Sequence, residues 1–235
     1  MTSIRLCLPA LTIILVPTVV NAEHIVDAHI NAIGGTDNIA KIKTIHRIAD
    51  VAVDSPFGEF DGPVTENFDI AGNRGSRLID IGITLIVSGW VGDTGWQTVP
   101  QQGIKDMENL QLTMAGINGS ASPVATAKAK FGIDGFSEPV EGDFNEKPCI
   151  RTSVLDGVLT FCINKETKLL EGMEVKGDAG RSAIITFDDF TESEGVLFAG
   201  KMTTNQPERR TKLTITYSET TVNGDLDEDS FKRPN

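Results

Sequence analysis

Apolar and polar residues alternate singly along much of the chain, the period of a strand with one buried face, and the alternation is plainest between Pro148 and Thr204. There Val158, Thr160 and Cys162 alternate with Leu159, Phe161 and Ile163, and Asp156-Gly157 stands where a hairpin should turn. Lys165 to Lys168 breaks the run, Leu169-Leu170 restarts it, Ile184 to Phe187 continues it, and Glu194-Gly195 supplies a second turn signal. A meander of antiparallel strands is predicted. Upstream, 44–54 reads as a strand with Ala49, Val51 and Val53 on one face, 58–70 as another with Val64, Glu66, Phe68 and Ile70 in phase, and 74–81 as a third. The nearly continuous apolar run from Ile83 to Trp90 predicts a central strand covered on both faces, followed by a short strand over 96–99. Thr211 to Thr221, with Leu213, Ile215 and Tyr217 in phase, predicts a last long strand, and Phe231 an anchor for the tail.

Elsewhere the period is helical. Ile25, Val26, His29, Ile30 and Ile33 form one stripe over 23–33, stopped by Gly34-Gly35, and Thr36 and Asp37 can cap a short turn through Ile42. Ile104, Met107, Leu110 or Gln111, and Met114 predict an amphipathic helix over 102–115, and a shorter one is predicted over 124–131. Two apolar-faced helices between halves of a sheet must pack on one of its faces. The fold class expected is therefore mainly β with α: a single curved antiparallel sheet with helices as a lid or plug, forming one domain over 23–235.

Residues 1–22 carry Arg5, an apolar run from Leu6 to Val20, and Val20-Asn21-Ala22 at its end, the pattern of a cleaved secretory signal. The run is short for a membrane span and holds Pro9 and Pro17, so no integral membrane segment is expected after cleavage. Without Arg5 the remainder has 20 basic against 33 acidic residues, a net charge of −13, which disfavours nucleic acid and anionic surfaces as partners. Cys149 and Cys162 are then the remaining cysteines. A loop over 154–157 would pair Ser153 with Val158 and set Cys149 opposite Cys162, close enough for a disulfide; two buried thiols are the alternative.

Candidate chemistry is thin. His24 and His29 fall on different sides of a helix with no carboxylate at ligand spacing, so no metal is expected, and His46 stands alone on a strand. No serine-hydrolase elbow, zinc-protease helix motif or phosphate-cradling loop is present, and Asp188-Asp189 point to opposite strand faces. Trp90 and Trp96 could line the rim of an apolar cavity, with Phe68, Ile86 and Phe187 deeper and Met107 and Met114 covering it; ordinary core packing is the competing reading of each.

Ala32-Ile33-Gly34-Gly35 before Ile42-Lys43-Thr44-Ile45, Gly95-Trp96, and Asp156-Gly157 before Phe161-Cys162-Ile163-Asn164 occur in order. Glu166 to Leu170, Phe187-Asp188-Asp189-Phe190, Gly195-Val196-Leu197-Phe198 and a final Phe231 with Pro234 follow. Together they resemble the LolA/LolB-like outer-membrane lipoprotein-sorting superfamily, especially its divergent periplasmic members. That resemblance implies an incomplete β-barrel whose inner face shelters acyl chains. The family's carrier uses a strand arginine, but no motif aligns Arg47, Arg74 or Arg77 with it. The function expected is a monomeric, non-enzymatic periplasmic carrier or binding protein for a lipid, acylated or other apolar ligand, without cofactor, with lipoprotein sorting and an envelope-protein partner as finer readings. The alternative is a structural or protein-interaction module with a filled core, and an enzyme ranks third.

Overall fold

The computed structural model describes residues 24–99, 101–177 and 182–234; the expected leader, 1–22, lies outside them. After helices α1 (Ile25–Ala32) and α2 (Thr36–Ile39), a first meander runs through β1 (Thr44–Ser55), β2 (Gly58–Asp69), β3 (Arg74–Asp80), β4 (Leu85–Val91), β5 (Thr94–Val99) and β6 (Gly103–Asp106). Helices α3 (Asn109–Asn118) and α4 (Pro123–Phe131) interrupt it. A second meander follows: β7 (Val140–Phe144), β8 (Lys147–Val154), β9 (Leu159–Asn164), β10 (Leu170–Lys176) and β11 (Ser182–Asp188). The hairpin β12 (Thr191–Ser193) and β13 (Val196–Phe198) precedes β14 (Lys201–Gln206) and β15 (Thr211–Val222).

The two meanders form one antiparallel sheet of 13 strands because β15 returns to pair with β1, Val51 facing Ile215 and Ala49 facing Tyr217. The sheet is curved but not closed, with β6 and β7 at its ends, each paired on one side only: an incomplete barrel. Register fixes its inner face. Ile45, Arg47, Ala49 and Val51 stand beside Phe68, Glu66 and Val64 of β2, and these beside Gly75, Arg77 and Ile79 of β3. Because side chains alternate, this face needs a cover. Ile25, Val26 and Ile30 of α1, Ile117 of α3, and Val124 and Ala127 of α4 pack into one core with Val51, Phe161, Met173 and Ile215. The β12–β13 hairpin covers the neighbouring strip, setting Val196 and Phe198 against Ile45, Phe68 and Trp90. Gly34 allows this: a Cβ there would lie 2.1 Å from the Gly195 carbonyl oxygen, and its φ of 127° suits glycine.

His29, 1 % exposed on α1, fastens three parts of that cover. Its Nδ1 donates to the Lys168 carbonyl at 2.8 Å, in the turn between β9 and β10, and its Nε2 accepts from the Ser122 hydroxyl at 3.0 Å. Ser122 in turn caps α4 by accepting from the Ala125 amide. Burial lowers the His29 pKa to about 4, although the Lys168 carbonyl favours the charged form.

Three expectations are corrected. Residues 102–115 divide into β6 and the start of α3, because Ile104 belongs to the ladder opposite Thr98 and the Glu108–Gln111 capping box starts the helix later. The run from Ile83 is not covered on both faces: Ile83 is 71 % exposed and Leu85 48 % exposed, near a hairpin tip. The β8–β9 pairing also differs from the one expected. Val154 faces Leu159, so the loop is 155–158 and Cys149 faces Asn164, with Cys162 facing Arg151. Left-handed φ values at Leu155 and Asp156 carry the turn one residue further. The two cysteines are then diagonal neighbours on the outer face, and they are bridged with Cα atoms 5.6 Å apart.

Replacing both cysteines by serine should lower unfolding stability by about 3 kcal/mol, the entropy of a short closed loop, as read by urea denaturation. An unchanged midpoint contradicts it. His29 gives a second expectation. Its folded pKa lies below the unfolded value near 6.5, so its contribution is complete above about pH 6.5 and is lost as pH falls towards about 4. The loss should reach about 3 kcal/mol relative to His29→Gln over that interval. Parallel stability profiles for the two proteins would contradict it.

Candidate functional site: a crevice with a buried arginine

On the inner face, the segment joining α3 to α4 crosses the sheet and leaves a crevice of about 40 Å³. Its apolar wall comes from Ile33, Leu170, Phe187, Leu197 and Met202, and its polar groups are His29, Arg47, Asn118, Ser120, Ser122 and Tyr217. Several strands converge here because β1, β15, β14 and β11 are neighbours in the sheet.

Arg47 is 6 % exposed, and charge at such a position needs partners. It has three incomplete ones. Its guanidinium lies between the rings of Phe198, at 5.2 Å, and Tyr217, at 4.9 Å. The Glu66 carboxylate, fully buried behind it, comes only to 3.9 Å, because Glu66 is held by Arg77 through Nε at 2.5 Å. Among the described residues the Nε of Arg47, the second oxygen of Glu66 and the Oδ1 of Asn118 are buried without hydrogen-bond partners. Burial pushes the Tyr217 hydroxyl up to about 12, helped by Glu66 and opposed by Arg47 and Arg77, so it stays a neutral donor. The site is thus an apolar recess with an under-satisfied cation at its base.

A second hollow of about 180 Å³ lies across the same segment, lined by Phe68, Trp90, Ile117, Gly119, Arg74 and Lys130 among others, and Ser120 borders both spaces. Phe68 and Trp90 stack at 5.8 Å, and Gly119 permits the approach of the helix end, since a Cβ there would lie 2.4 Å from the Trp90 ring. A larger groove of about 510 Å³ lies between β2–β4 and the tail at Asp225–Ser230, with His46, Asn67 and Ser76 in its lining, and has a predominantly polar rim.

The residues singled out in the sequence are dispersed. Phe187 lines the crevice; Phe68 and Trp90 line the second hollow; Ile86 and Met114 pack at the margin of the main core. Met107 lies against Gly95. Trp96 does not join Trp90: it pairs with Gly89 while Trp90 pairs with Gly95, so the two indoles occupy opposite faces of the sheet. The cavity reading of the tryptophan pair is corrected accordingly. Arg47, Asn118 and Tyr217 were missed, although Arg47 and Glu66 both stand in the apolar phase of their strands, a charge where the pattern calls for a hydrocarbon.

Among the described residues no cluster of His, Cys, Asp and Glu has metal-binding geometry, and no helix is long and apolar enough to cross a membrane. No protein-family model and no curated protein matches the chain. Solved structures do. A putative outer membrane lipoprotein-sorting protein domain from Vibrio parahaemolyticus is 11 % identical with a TM-score of 0.56, over 88 % of this chain and 94 % of its own. A LolA superfamily protein from Nitrosomonas europaea is 12 % identical with a TM-score of 0.56, over 88 % and 96 %. A DUF1329 family protein from Desulfovibrio piger is 13 % identical with a TM-score of 0.54, over 89 % and 98 %. The chain therefore shares the fold of these structures and is LolA-like in architecture.

Proposed function

We propose that the protein is a non-enzymatic carrier or binding protein of the periplasm for a lipid, acylated or other apolar ligand, exported by its leader and taking its ligand on the inner face. One observation carries this reading: the segment from Asn118 to Pro123 separates two recesses, and an apolar wall meets a buried, incompletely paired Arg47 in one of them. Apolar lining with a few convergent polar groups is the usual make-up of small-molecule sites. The fold shared with a putative lipoprotein-sorting domain supports the same reading.

The resting crevice holds only a few atoms, so an acyl chain enters by displacing the segment that divides the recesses. That segment is fastened at its far end, where Ser122 hydrogen-bonds His29, and is lightly held only at its near end, where α3 leads into it. Ile117 is the buried residue of α3, and Gly116 leaves open space beside it, whereas Gly119 is packed against Trp90 and Phe68. A second reading has its own support: with about 40 Å³ free, the inner face is close to filled, as a module that meets a protein partner through its surface would have it.

Native mass spectrometry of protein purified from the envelope without detergent, followed by titration with a fluorescent fatty alcohol, separates the two. The carrier reading expects a co-purifying mass or saturable one-to-one uptake. A homogeneous protein that takes up no probe contradicts it and leaves the interaction module.

A further inference from the structure

We propose that the crevice receives the anionic head of a single-chain amphiphile, a carboxylate or a phosphate monoester, with Arg47 as the cationic partner. The proposal rests on the binding reading above and adds the chemistry of the ligand's polar end. Arg47 is the one charged side chain in the lining at neutral pH among the described residues, since His29 there is engaged in its neutral form by Lys168 and Ser122. Glu66 is outside the lining, and its close ion pair is with Arg77. The buried Arg47 and the partly exposed Arg77 thus share one carboxylate, whose close partner is Arg77, which leaves the charge of Arg47 poorly compensated at the base of an apolar recess.

A buried cation in this position is costly unless an anion completes it. The missing hydrogen bond is a specific one: Arg47 Nε is a buried donor with no acceptor among the described residues. A carboxylate or phosphate oxygen supplies that acceptor in a charge-assisted bond, the stronger kind. Asn118, on the opposite wall, contributes once its side-chain amide is turned to present Nδ2 instead of the orphaned Oδ1, a rotation that costs no bond because Oδ1 has none. The Tyr217 hydroxyl, kept protonated by its burial, is a further donor in the same lining. The space matches a head group and not a chain. The tail then lies along Phe187, Leu197 and Met202, or passes beneath Ser120 towards Phe68 and Trp90. A neutral head gains little here, because it leaves the charge of Arg47 uncompensated.

The test compares ligands of one chain length on the full protein: laurate, dodecyl phosphate, dodecanol and methyl laurate, each displacing a neutral fluorescent probe. Charge-assisted bonds to Arg47 should make at least one of the two anions bind about tenfold or more tighter than dodecanol, and whichever is favoured names the head group. Arg47→Gln should abolish that gap while dodecanol binding persists, which also shows that the variant is folded; Arg47→Lys should restore part of it. Dodecanol binding as tightly as both anions overturns this inference and leaves the carrier reading in place. A gap that survives in Arg47→Gln overturns the role of Arg47. If none of the four binds, the carrier reading falls and takes the inference with it.

Discussion

The structure depends on covering one apolar sheet face with elements of its own chain. Thirteen strands hydrogen-bonded in series satisfy their backbone groups, but every second side chain from β1, β2, β15, β14 and β11 projects to the same side. Left open, that surface would drive association; here α1, α3, α4 and the β12–β13 hairpin lie across it. Pairing of β1 with β15 is the joint that makes one face from two meanders, and His29 ties the cover down at the point where α1, α4 and the β9–β10 turn meet.

The cover is uneven, and the unevenness defines the candidate site. Val26, Val124 and Ala127 are fully buried, whereas α3 contributes Ile117 and otherwise half-exposed side chains. Between the well-packed and lightly packed parts lies the crevice, and at its base the sheet carries Arg47, Glu66 and Arg77 in place of hydrocarbon. Such a cluster contributes little net stability, since desolvation offsets the attraction between the charges, and in a structural core aliphatic residues would serve as well. Its incomplete hydrogen bonding is the observation on which the proposed binding site rests.

Much of this architecture was legible in residue order. Strand alternation at Ala49, Val51 and Val53, and at Leu213, Ile215 and Tyr217, identified β1 and β15 and their buried faces, because a half-buried strand leaves a period of two. Three features were not legible. Ile104 fitted a helical period by coincidence, and only its partner Thr98 shows that it belongs to a strand. The Cys149–Cys162 register hinged on two left-handed residues, Leu155 and Asp156, whose conformation no local pattern announces. Trp90 and Trp96 looked like neighbours around a turn, yet strand parity sends them to opposite faces. The ionic cluster was half visible. Glu66 was read in phase with Val64 and Phe68, but the arginines that answer it come from two other strands, Arg47 on β1 and Arg77 on β3, and only the register unites them.

The proposed binding requires α3 and the start of the segment after it to move away from the inner face. Native-state hydrogen exchange by amide measures this directly. Amides of 109–121 are expected to exchange through an opening far less costly than global unfolding, while those of β1 and β15 exchange only with it. Exchange in α3 as slow as in β1 would contradict this, for the cover would then be a fixed part of the core.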